Sequence, residues 1–135
     1  MLSSKTKYAI MALTLLAREY GNGVIQVSVI ASSHRIPQRY LENIMLDLKK
    51  LGVIGSKSGK SGGYYLTKPP SEISLADVIR PFEGTIALVS CVSERQYQHC
   101  EFCIDETACK TRVVFKEIRD NTFEILTRTT LDKLI

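Results

Sequence analysis

Apolar side chains recur at helical spacing along the first segment of the chain. A helix is predicted to begin at Ser3 or Ser4, either of which can cap it, and to run to about Glu19. Gly21 and Gly23 follow and end it. The pattern predicts an amphipathic helix whose core-facing positions are Tyr8, Ala12, Leu15 and Leu16.

Two further helices are predicted before residue 53. The stretch "VSVIASSHR" forms a short second helix with Ser28 as its N-cap, and "IPQRYLENIMLDLKKLG" forms a third. Pro37 suits the first turn of the third helix, and Gly52 ends that helix after Lys49 and Lys50. The stripe predicted to be buried on this helix consists of Leu41, Ile44, Leu48 and Leu51.

A hairpin and two more helices are predicted in the rest of the chain. "VIGSK" and "GYYLTK" are typical strands, joined by the polar, glycine-rich tip "SGKSG". "SLAD" at 74–77 resembles a capping box that opens a short helix to about Phe82, and a long helix is predicted from about Thr107 to Leu126. The predicted fold class is therefore mainly α with a small β-hairpin. The long helix needs a partner surface, because one small domain does not cover all its apolar positions, which include Val114, Ile118, Ile125 and Leu126.

The charge is divided unevenly between the two halves of the chain. The whole sequence carries a formal net charge of +4, but residues 1–70 hold ten Lys and Arg against three Asp and Glu, which leaves +7. Residues 71–135 hold eight against eleven, which leaves −3. This division predicts that only the first half binds a polyanion, although a chance surface imbalance gives the same count.

Three helices followed by a hairpin is the order of elements in a winged helix-turn-helix domain, whose partner is double-stranded DNA. The polar face near the start of the third helix would meet base edges in the major groove, and the basic tip of the hairpin would contact phosphate or enter the minor groove. The alternatives are an ordinary amphipathic surface helix and an ordinary solvated turn. The candidate DNA-binding residues are Gln38, Arg39, Tyr40, Glu42 and Asn43 on the helix, and Lys57, Lys60 and Ser61 on the wing.

All four cysteines lie within residues 91–109, with the spacing C-x8-C-x2-C-x5-C. No apolar run is long enough for a membrane span, and the N-terminal stretch lacks a signal-peptide cleavage site, so we expect a cytoplasmic protein. Thiols stay reduced in the cytoplasm, where clustered cysteines bind metal or do redox work. A 2Fe–2S or 4Fe–4S cluster, one tetrahedral zinc and a reversible thiol switch all stay open. The candidate metal ligands are Cys91, Cys100, Cys103 and Cys109.

Five stretches together resemble a known family of bacterial regulators. "SSKTKYAIMAL", "YLENIMLDLKKLGVI", "GKSGGYYL", "ISLADVI" and "FEG" resemble, in order and spacing, the Rrf2 family of winged helix-turn-helix transcriptional regulators, which includes IscR-, NsrR- and CymR-like proteins. The resemblance extends through "TTLDKL" near the end of the chain. It implies a homodimeric repressor that binds a pseudo-palindromic operator and uses the long C-terminal helix as its dimer contact.

The resemblance also bears on the cysteines. Iron–sulfur members of the family carry three cysteines in this segment; the last C-x5-C step here matches theirs, whereas the first step is stretched. IscR-like members add a histidine ligand where this chain has Arg112, and some NsrR-like members add an acidic residue where it has Lys7. Neither side chain serves as a metal ligand here. The resemblance therefore implies an iron–sulfur site with Cys100 as the replacement fourth ligand, and zinc is the alternative.

The predicted organisation has three parts: a winged helix-turn-helix domain at 1–82, a cysteine-containing sensor loop at 83–109, and a dimerisation helix with a tail at 110–135. The sequence does not predict an enzyme, because "GKSGG" is not a Walker motif and the C-x2-C pair does not follow a strand of a βαβ unit. A small thiol oxidoreductase is the remaining enzyme alternative. His99 lies inside the cysteine segment and is expected to be exposed rather than a ligand.

Overall fold

Five α-helices and one two-stranded hairpin form residues 2–135, the part of the chain that this computed structural model describes. The strands are β1 (Ile54–Lys57) and β2 (Gly63–Leu66), paired antiparallel. The predicted fold class, mainly α with a small β-hairpin, is confirmed. None of the helices in the described range is long and apolar enough to cross a membrane. The helices are α1 (Ser4–Arg18), α2 (Val27–His34), α3 (Gln38–Lys50), α4 (Leu75–Glu83) and α5 (Lys110–Arg128).

The first helix begins where the sequence predicts, but its buried face is rotated. Ser3 is the N-cap, and its hydroxyl accepts a hydrogen bond from the backbone N–H of Thr6 at 3.2 Å. Tyr8 and Leu15, both predicted to face the core, are only partly buried at its margin. There the Tyr8 ring packs against the ring of Tyr40. The buried apolar positions of α1 are Ala9, Ala12, Leu13, Leu16 and Ala17.

The helices α2 and α3 begin without side-chain caps. α2 follows Gln26, so the prediction that Ser28 caps it is wrong, and Ser28 lies in its first turn. α3 follows Pro37, which stands at the N-cap rather than inside the first turn. A proline fits this boundary because its φ is preset and it has no N–H to satisfy. Both helices therefore leave their first N–H groups without a side-chain acceptor.

The buried stripe of α3 differs from the predicted one at one position. Met45 is 0% exposed and belongs to the stripe, whereas Leu51 is 38% exposed and does not. Met45 lies four residues after Leu41 and so projects from the same face of the helix. Leu51 is the C-cap, and Gly52, with a φ of 80°, turns the chain away directly after it. The helix thus ends where predicted, and Leu51, which follows its last residue, does not reach the core.

The hairpin packs against the start of α2 through its backbone. Its register pairs Lys57 with Gly63 next to the tip. One further bridge joins Ile25 to Tyr64, with N–O distances of 2.8 and 2.9 Å. A Cβ atom at residue 63 would lie 2.5 Å from the Ile25 carbonyl oxygen, so only glycine permits this approach. The wing is therefore fixed to the helix-turn-helix by main-chain contacts.

The chain returns to its first three helices on both sides of α5. The predicted capping box of α4 is confirmed: the Ser74 hydroxyl accepts from the Asp77 N–H, and the Asp77 carboxylate accepts from the Ser74 N–H. After α5, Leu131 is fully buried in the same core as α1 and α3. Its N–H donates to the carbonyl of Ile73 at 2.9 Å. The C-terminal residues thus help to position α4 on the core.

The long helix α5 begins three residues later than the sequence predicts. Residues 106–108 form a single 3-10 turn, and Cys109 is the N-cap of α5. The Cys109 sulfur accepts a hydrogen bond from the N–H of Arg112 at 3.4 Å. No residue of this 19-residue helix, all of which lies in the described range, is buried within the single chain. The helix is held on one side only and leaves the other side to solvent.

Candidate functional site

The N-terminal end of α3 exposes a polar face. Gln38, Arg39, Glu42 and Asn43 are all exposed. The side-chain amide of Gln38 donates to the Glu42 carboxylate at 3.4 Å, one helical turn away. Amide, guanidinium and carboxylate groups are the side-chain types that read base edges in the major groove. The opposite face of the helix fixes its position, because it is buried through Leu41, Ile44, Met45 and Leu48.

Tyr40 differs from its neighbours because its ring packs on α1. It is 38% exposed, and it meets the Tyr8 ring edge-on, with centroids 5.8 Å apart and planes at 81°. Edge-to-face aromatic pairs favour a defined geometry. Tyr40 therefore fixes the orientation of α3 on α1 while part of its ring stays at the surface.

An ion pair also joins α1 to α3. Lys5 Nζ lies 2.7 Å from Asp47 Oδ2 and 5.2 Å from the centre of the Phe82 ring on α4. The lysine and aspartate side chains are 41% and 36% exposed, so the pair stabilises the fold by less than about 1 kcal/mol. Its effect is on the orientation of the three helices more than on stability.

The tip of the wing carries its charges at the surface. Lys57, Lys60 and Ser61 are exposed. The Lys60 carbonyl accepts a hydrogen bond from the side-chain amide of Gln26 at 3.0 Å, which ties the tip to the start of α2. Gly59 has a φ of 100°, in the left-handed region that glycine adopts without strain. The wing is thus held in one orientation with its two lysines directed at solvent.

Lys49 adds a basic group to this surface. From the sequence it is only a lysine in the last turn of α3, where it complements the helix dipole. Its Nζ donates to the hydroxyl of Ser56 on β1 at 2.7 Å. With Lys57 and the start of α2 it lines an open groove between α2, α3 and the wing. Lys49 and Ser56 lie on either side of the turn between α3 and β1, so they meet only when the hairpin packs against the end of the helix. Lys49 is therefore a further candidate phosphate contact that the sequence pattern did not reveal.

The four cysteines line one open depression with a volume of about 750 Å³. All four are free thiols. Cys91 is 8% exposed at the buried wall, and the other three are half-buried around the opening. Arg112 of α5 belongs to the same wall. The structure thus brings together the four residues singled out as candidate ligands, Cys91, Cys100, Cys103 and Cys109.

The four thiols line the same depression, but they do not point to one common centre that could hold a metal ion. Within residues 2–135, no group of three or more His, Cys, Asp or Glu side chains is arranged so that it could hold a metal ion. Cys100 and Cys103 belong to one tight turn, in which the Cys103 N–H donates to the Cys100 carbonyl at 3.1 Å. Four thiols fit tetrahedral zinc or a cluster in chemistry and number. Holding one metal ion would require these thiols to come closer together.

The Cys103 thiol is affected by its sulfur neighbours. Partial burial raises the pKa of Cys103 above its usual value, and the nearby thiols of Cys109 and Cys100 raise it further. Burial and nearby negative charge both disfavour the ionised form of a thiol, so Cys103 favours its protonated form. A metal ion reverses this preference, because a coordinating sulfur is deprotonated. Ionisation of Cys103 and binding of a cation by its sulfur would therefore depend on each other.

A hydrogen-bonded group closes the rim of the depression. The Tyr97 hydroxyl donates to Glu106 Oε1 at 2.5 Å, and His99 Nδ1 lies 2.8 Å from the same oxygen. His99 Nε2 lies 3.0 Å from the carbonyl oxygen of Cys103. The Tyr97 hydroxyl and then His99 lower the pKa of Glu106, whose carboxylate raises the pKa of Tyr97. His99 is exposed, as expected, and both its ring nitrogens face oxygen atoms of the rim.

Comparison with known proteins identifies the family to which this arrangement belongs. A family model described as "Rrf2: Iron-dependent Transcriptional regulator" matches residues 2–135. This chain belongs to the Rrf2 family. It is accordingly a DNA-binding transcriptional regulator and not an enzyme, as the sequence predicts.

Relatives and solved structures agree with membership of the Rrf2 family. The rrf2-like HTH-type regulator of Rhodobacter capsulatus is 38% identical over 138 residues, covering 100% of this chain and 92% of that protein. CymR of Bacillus subtilis is 32% identical over 133 residues, covering 98% and 88%. Its structure, described as that of the global cysteine regulator, has a TM-score of 0.83 at 31% identity, covering 99% and 95%. The structure of T. potens IscR has a TM-score of 0.74 at 26% identity, covering 99% and 85%.

Proposed function

We propose that this Rrf2-family chain is a homodimeric, operator-binding repressor whose four-cysteine site controls its affinity for DNA. The observation that carries the proposal is that the four-thiol depression adjoins α5, the helix without a buried residue. A sensor site and a partner surface thus share one element. In this proposal residues 1–82 bind DNA, residues 83–109 form the sensor loop, and residues 110–135 form the dimerisation helix and tail.

The dimer contact is assigned to one stripe of α5. Val114, Ile118 and Ile125 are 53%, 38% and 49% exposed, and their spacing places them on the same face of the helix. An apolar stripe of this length at the surface of a single chain is typical of a protein–protein contact. A second copy supplies the same stripe through a two-fold axis, which is the commonest arrangement of soluble oligomers.

In the proposed complex α3 enters the major groove and the wing follows the DNA backbone. Arg39 offers a bidentate donor to guanine, and Gln38 and Asn43 offer a donor and an acceptor together to adenine. Glu42 accepts from cytosine N4. These four residues read base edges. The contacts to phosphate and sugar are assigned to Tyr40, Lys57, Lys60 and Ser61.

The four cysteines are proposed to hold an iron–sulfur cluster. They supply the four thiolates that 2Fe–2S and 4Fe–4S clusters take, and the family description includes dependence on iron. When bound, such a group supplies sensitivity to oxidants and to the iron supply. The chain would hold the group through these four thiols, of which Cys109 is positioned at the start of α5. Binding would thereby order residues 91–109 against the helix that joins the two copies.

A change at α5 is expected to reach both recognition helices. Half-sites of a palindromic operator lie about 34–36 Å apart, so the two α3 helices must keep that separation and orientation. A small rotation of one copy about the dimer helix changes the fit at both half-sites. This provides two states with different contacts to DNA, which regulation by a bound group requires.

Metal analysis of protein prepared without oxygen tests the proposal. Stoichiometric iron and sulfide, with thiolate-to-iron charge-transfer absorption, would support it; stoichiometric zinc and no iron, after expression with both metals, would contradict it. Cys100→Ser should lose the iron as completely as Cys91→Ser does, because both are assigned as ligands. Operator duplexes selected from a random pool by the wild-type dimer then give the DNA affinity with and without iron.

A zinc site or a thiol switch is the second candidate, and the C-x2-C turn favours it. Cys100 and Cys103 are held in one turn by a backbone hydrogen bond of 3.1 Å, as in many zinc hairpins. A chelator that unfolds the protein, rather than only changing its DNA affinity, would indicate structural zinc. Loss of two hydrogen atoms from metal-free protein on mild oxidation, together with a change in DNA affinity, would indicate a disulfide switch.

A further inference from the structure

Arg112 contacts the first and the last cysteine of the segment at the same time. Its guanidinium Nε donates to the carbonyl oxygen of Cys91 at 3.4 Å, and its backbone N–H donates to the sulfur of Cys109 at 3.4 Å. The two cysteines stand at opposite ends of a nineteen-residue segment. One residue of α5 therefore holds both ends of the loop that carries the thiols.

Arg119 repeats this contact two turns further along α5. Its Nη1 donates to the carbonyl oxygen of Val92 at 2.7 Å. Its Nε and Nη2 both donate to the carboxylate of Asp120, at 2.9 and 2.6 Å, and the arginine side chain is only 16% exposed. The orientation of the guanidinium is thus fixed by the Val92 carbonyl on one side and by the Asp120 carboxylate on the other. Consecutive carbonyls, those of Cys91 and Val92, are bound by two arginines of the same helix face.

The residues that these arginines hold are the most buried part of the cysteine segment. Cys91, Val92 and Ser93 are 8%, 2% and 6% exposed. In contrast, Phe102 and Ile104, on either side of Cys103, are 86% and 103% exposed. The segment therefore has both ends fixed to α5, whereas its middle, around Cys103, extends into solvent. A closing movement of the thiol set would be taken up by this middle part.

We propose that Arg112 and Arg119 are positioning residues of the thiol site, which clamp the Cys91–Val92 turn to α5 and transmit occupancy of the site to that helix. The inference rests on the proposed function and deepens it. Neither arginine is a ligand: Arg112 holds the backbone of the candidate ligand Cys91, and Arg119 holds the backbone of its neighbour Val92. Hydrogen-bonding groups outside a ligand set commonly orient the ligands in this way. A guanidinium suits this role because its donors are fixed in one plane and it stays charged.

Cobalt titration of the metal-free full-length protein under anaerobic conditions tests the positioning. Co²⁺ is the probe because its thiolate charge-transfer bands report binding directly. Arg119→Gln and Arg112→Gln should each weaken Co²⁺ binding by about tenfold, and Arg119→Lys should recover part of the loss. Lys116→Gln removes the same charge from an exposed position of α5 and should bind Co²⁺ as wild type does. Wild-type affinity in both glutamine variants, or an equal loss in Lys116→Gln, would overturn the proposal.

Amide hydrogen exchange tests the clamp without any metal. The N–H groups of Val92 and Ser93 donate to the carbonyls of Val89 and Ser90 at 3.3 and 3.1 Å. In Arg119→Gln these two amides should exchange roughly tenfold faster, while the amides of α3 keep their wild-type rates. Unchanged exchange at both positions would overturn the clamp, and so would an equal acceleration throughout α3. Absence of Co²⁺ uptake by wild type would count against the proposed thiol metal site, and the exchange rates would still decide the clamp.

The link to α5 is tested by operator affinity. In wild type the ratio of affinities with and without the bound metal is expected to differ from one, and in Arg119→Gln it should move toward one. The same ratio in both proteins, or a ratio of one in wild type, would overturn the transmission through these arginines. The single-charge control Lys116→Gln should keep the wild-type ratio.

Discussion

The carboxylate of Glu83, at the end of α4, accepts a hydrogen bond from the backbone N–H of Ser3 at 2.9 Å, although the two residues are 80 positions apart. The same oxygen accepts from the Ser3 hydroxyl at 2.9 Å and from the Thr6 hydroxyl. These donors lie at the N-terminal end of α1, where the helix dipole favours a negative charge. Glu83 therefore caps a distant helix and fixes the point at which the cysteine segment leaves the winged domain.

Replacing Glu83 by Gln is expected to lower the free energy of unfolding by about 1–2 kcal/mol. The amide keeps the size of the side chain but loses the negative charge that strengthens the bonds from Ser3 and Thr6. Urea denaturation followed by circular dichroism measures the change. Glu117→Gln, on the exposed side of α5, is the matched control and should change stability by less than about 0.5 kcal/mol. Equal losses in the two variants would contradict the capping role.

The Glu83 contribution is also expected to depend on pH. The hydrogen bond from Thr6, and next that from Ser3, lower the pKa of Glu83 below its ordinary value of 4.5. A carboxyl group whose pKa is lowered by folding stabilises the protein above its unfolded-state pKa, and this contribution is lost as the pH falls through its folded-state pKa. The stability difference between wild type and Glu83→Gln should therefore be constant from about pH 7 to about pH 6 and shrink below the ordinary pKa. A difference that persists at acid pH would point to a cause other than charge.

The parts of the fold that local chemistry decides were predictable from the sequence. Ser3 and the Ser74–Asp77 capping box begin their helices because side-chain oxygens meet N–H groups three residues away. The cap of α2 was not predictable, because Gln26 uses its side chain to bind the carbonyl of Lys60 in the wing instead. Tertiary contacts between distant segments replace local signals at such positions.

The same division applies to the candidate site. The gathering of the four cysteines follows from their closeness in the sequence, and the polar α3 face follows from helical periodicity. Two other contacts could not be predicted from the sequence: that of Lys49 with Ser56 and that of Arg119 with the Val92 carbonyl. Each joins elements whose relative position depends on the whole core. From the sequence, Arg112 is only the residue that stands where IscR-like proteins have a histidine ligand. Its hydrogen bonds to the cysteine segment appear only in the folded chain.

Arg39→Ala is expected to weaken operator binding by about 1–3 kcal/mol and to relax the preference for one base pair in each half-site. The reason is that Arg39 is exposed at the N-terminal end of α3, where a guanidinium reaches base edges. Fluorescence anisotropy with matched and single-mismatch duplexes measures both effects. Arg18→Ala removes an exposed arginine from the last turn of α1 and should leave specificity intact. Unchanged affinity in Arg39→Ala would remove that residue from the interface.

The double variant Lys57→Ala and Lys60→Ala is expected to reduce the salt dependence of DNA binding. For every phosphate that no longer meets a lysine, the slope of log affinity against log salt concentration should flatten by about 0.9, because fewer counterions are released. Titrations at four or more salt concentrations measure the slope. The matched control, Lys110→Ala with Lys116→Ala on α5, removes the same charge away from the proposed surface. A slope identical to that of wild type would show that the wing does not contact the backbone.

Ile125→Glu is expected to separate the two copies of the chain while leaving each folded. Ile125 is 49% exposed in the single chain, so a carboxylate there stays hydrated in the monomer but would be buried unpaired in the proposed dimer. The penalty for such a charge is about 3 kcal/mol or more, which raises the dimer Kd roughly 100-fold. Sedimentation velocity over a range of concentrations measures this Kd, and circular dichroism verifies the fold. Lys116→Glu introduces a carboxylate on the face of α5 away from the stripe and should remain dimeric. If Ile125→Glu keeps the wild-type Kd, the stripe of Val114, Ile118 and Ile125 is not the contact between copies.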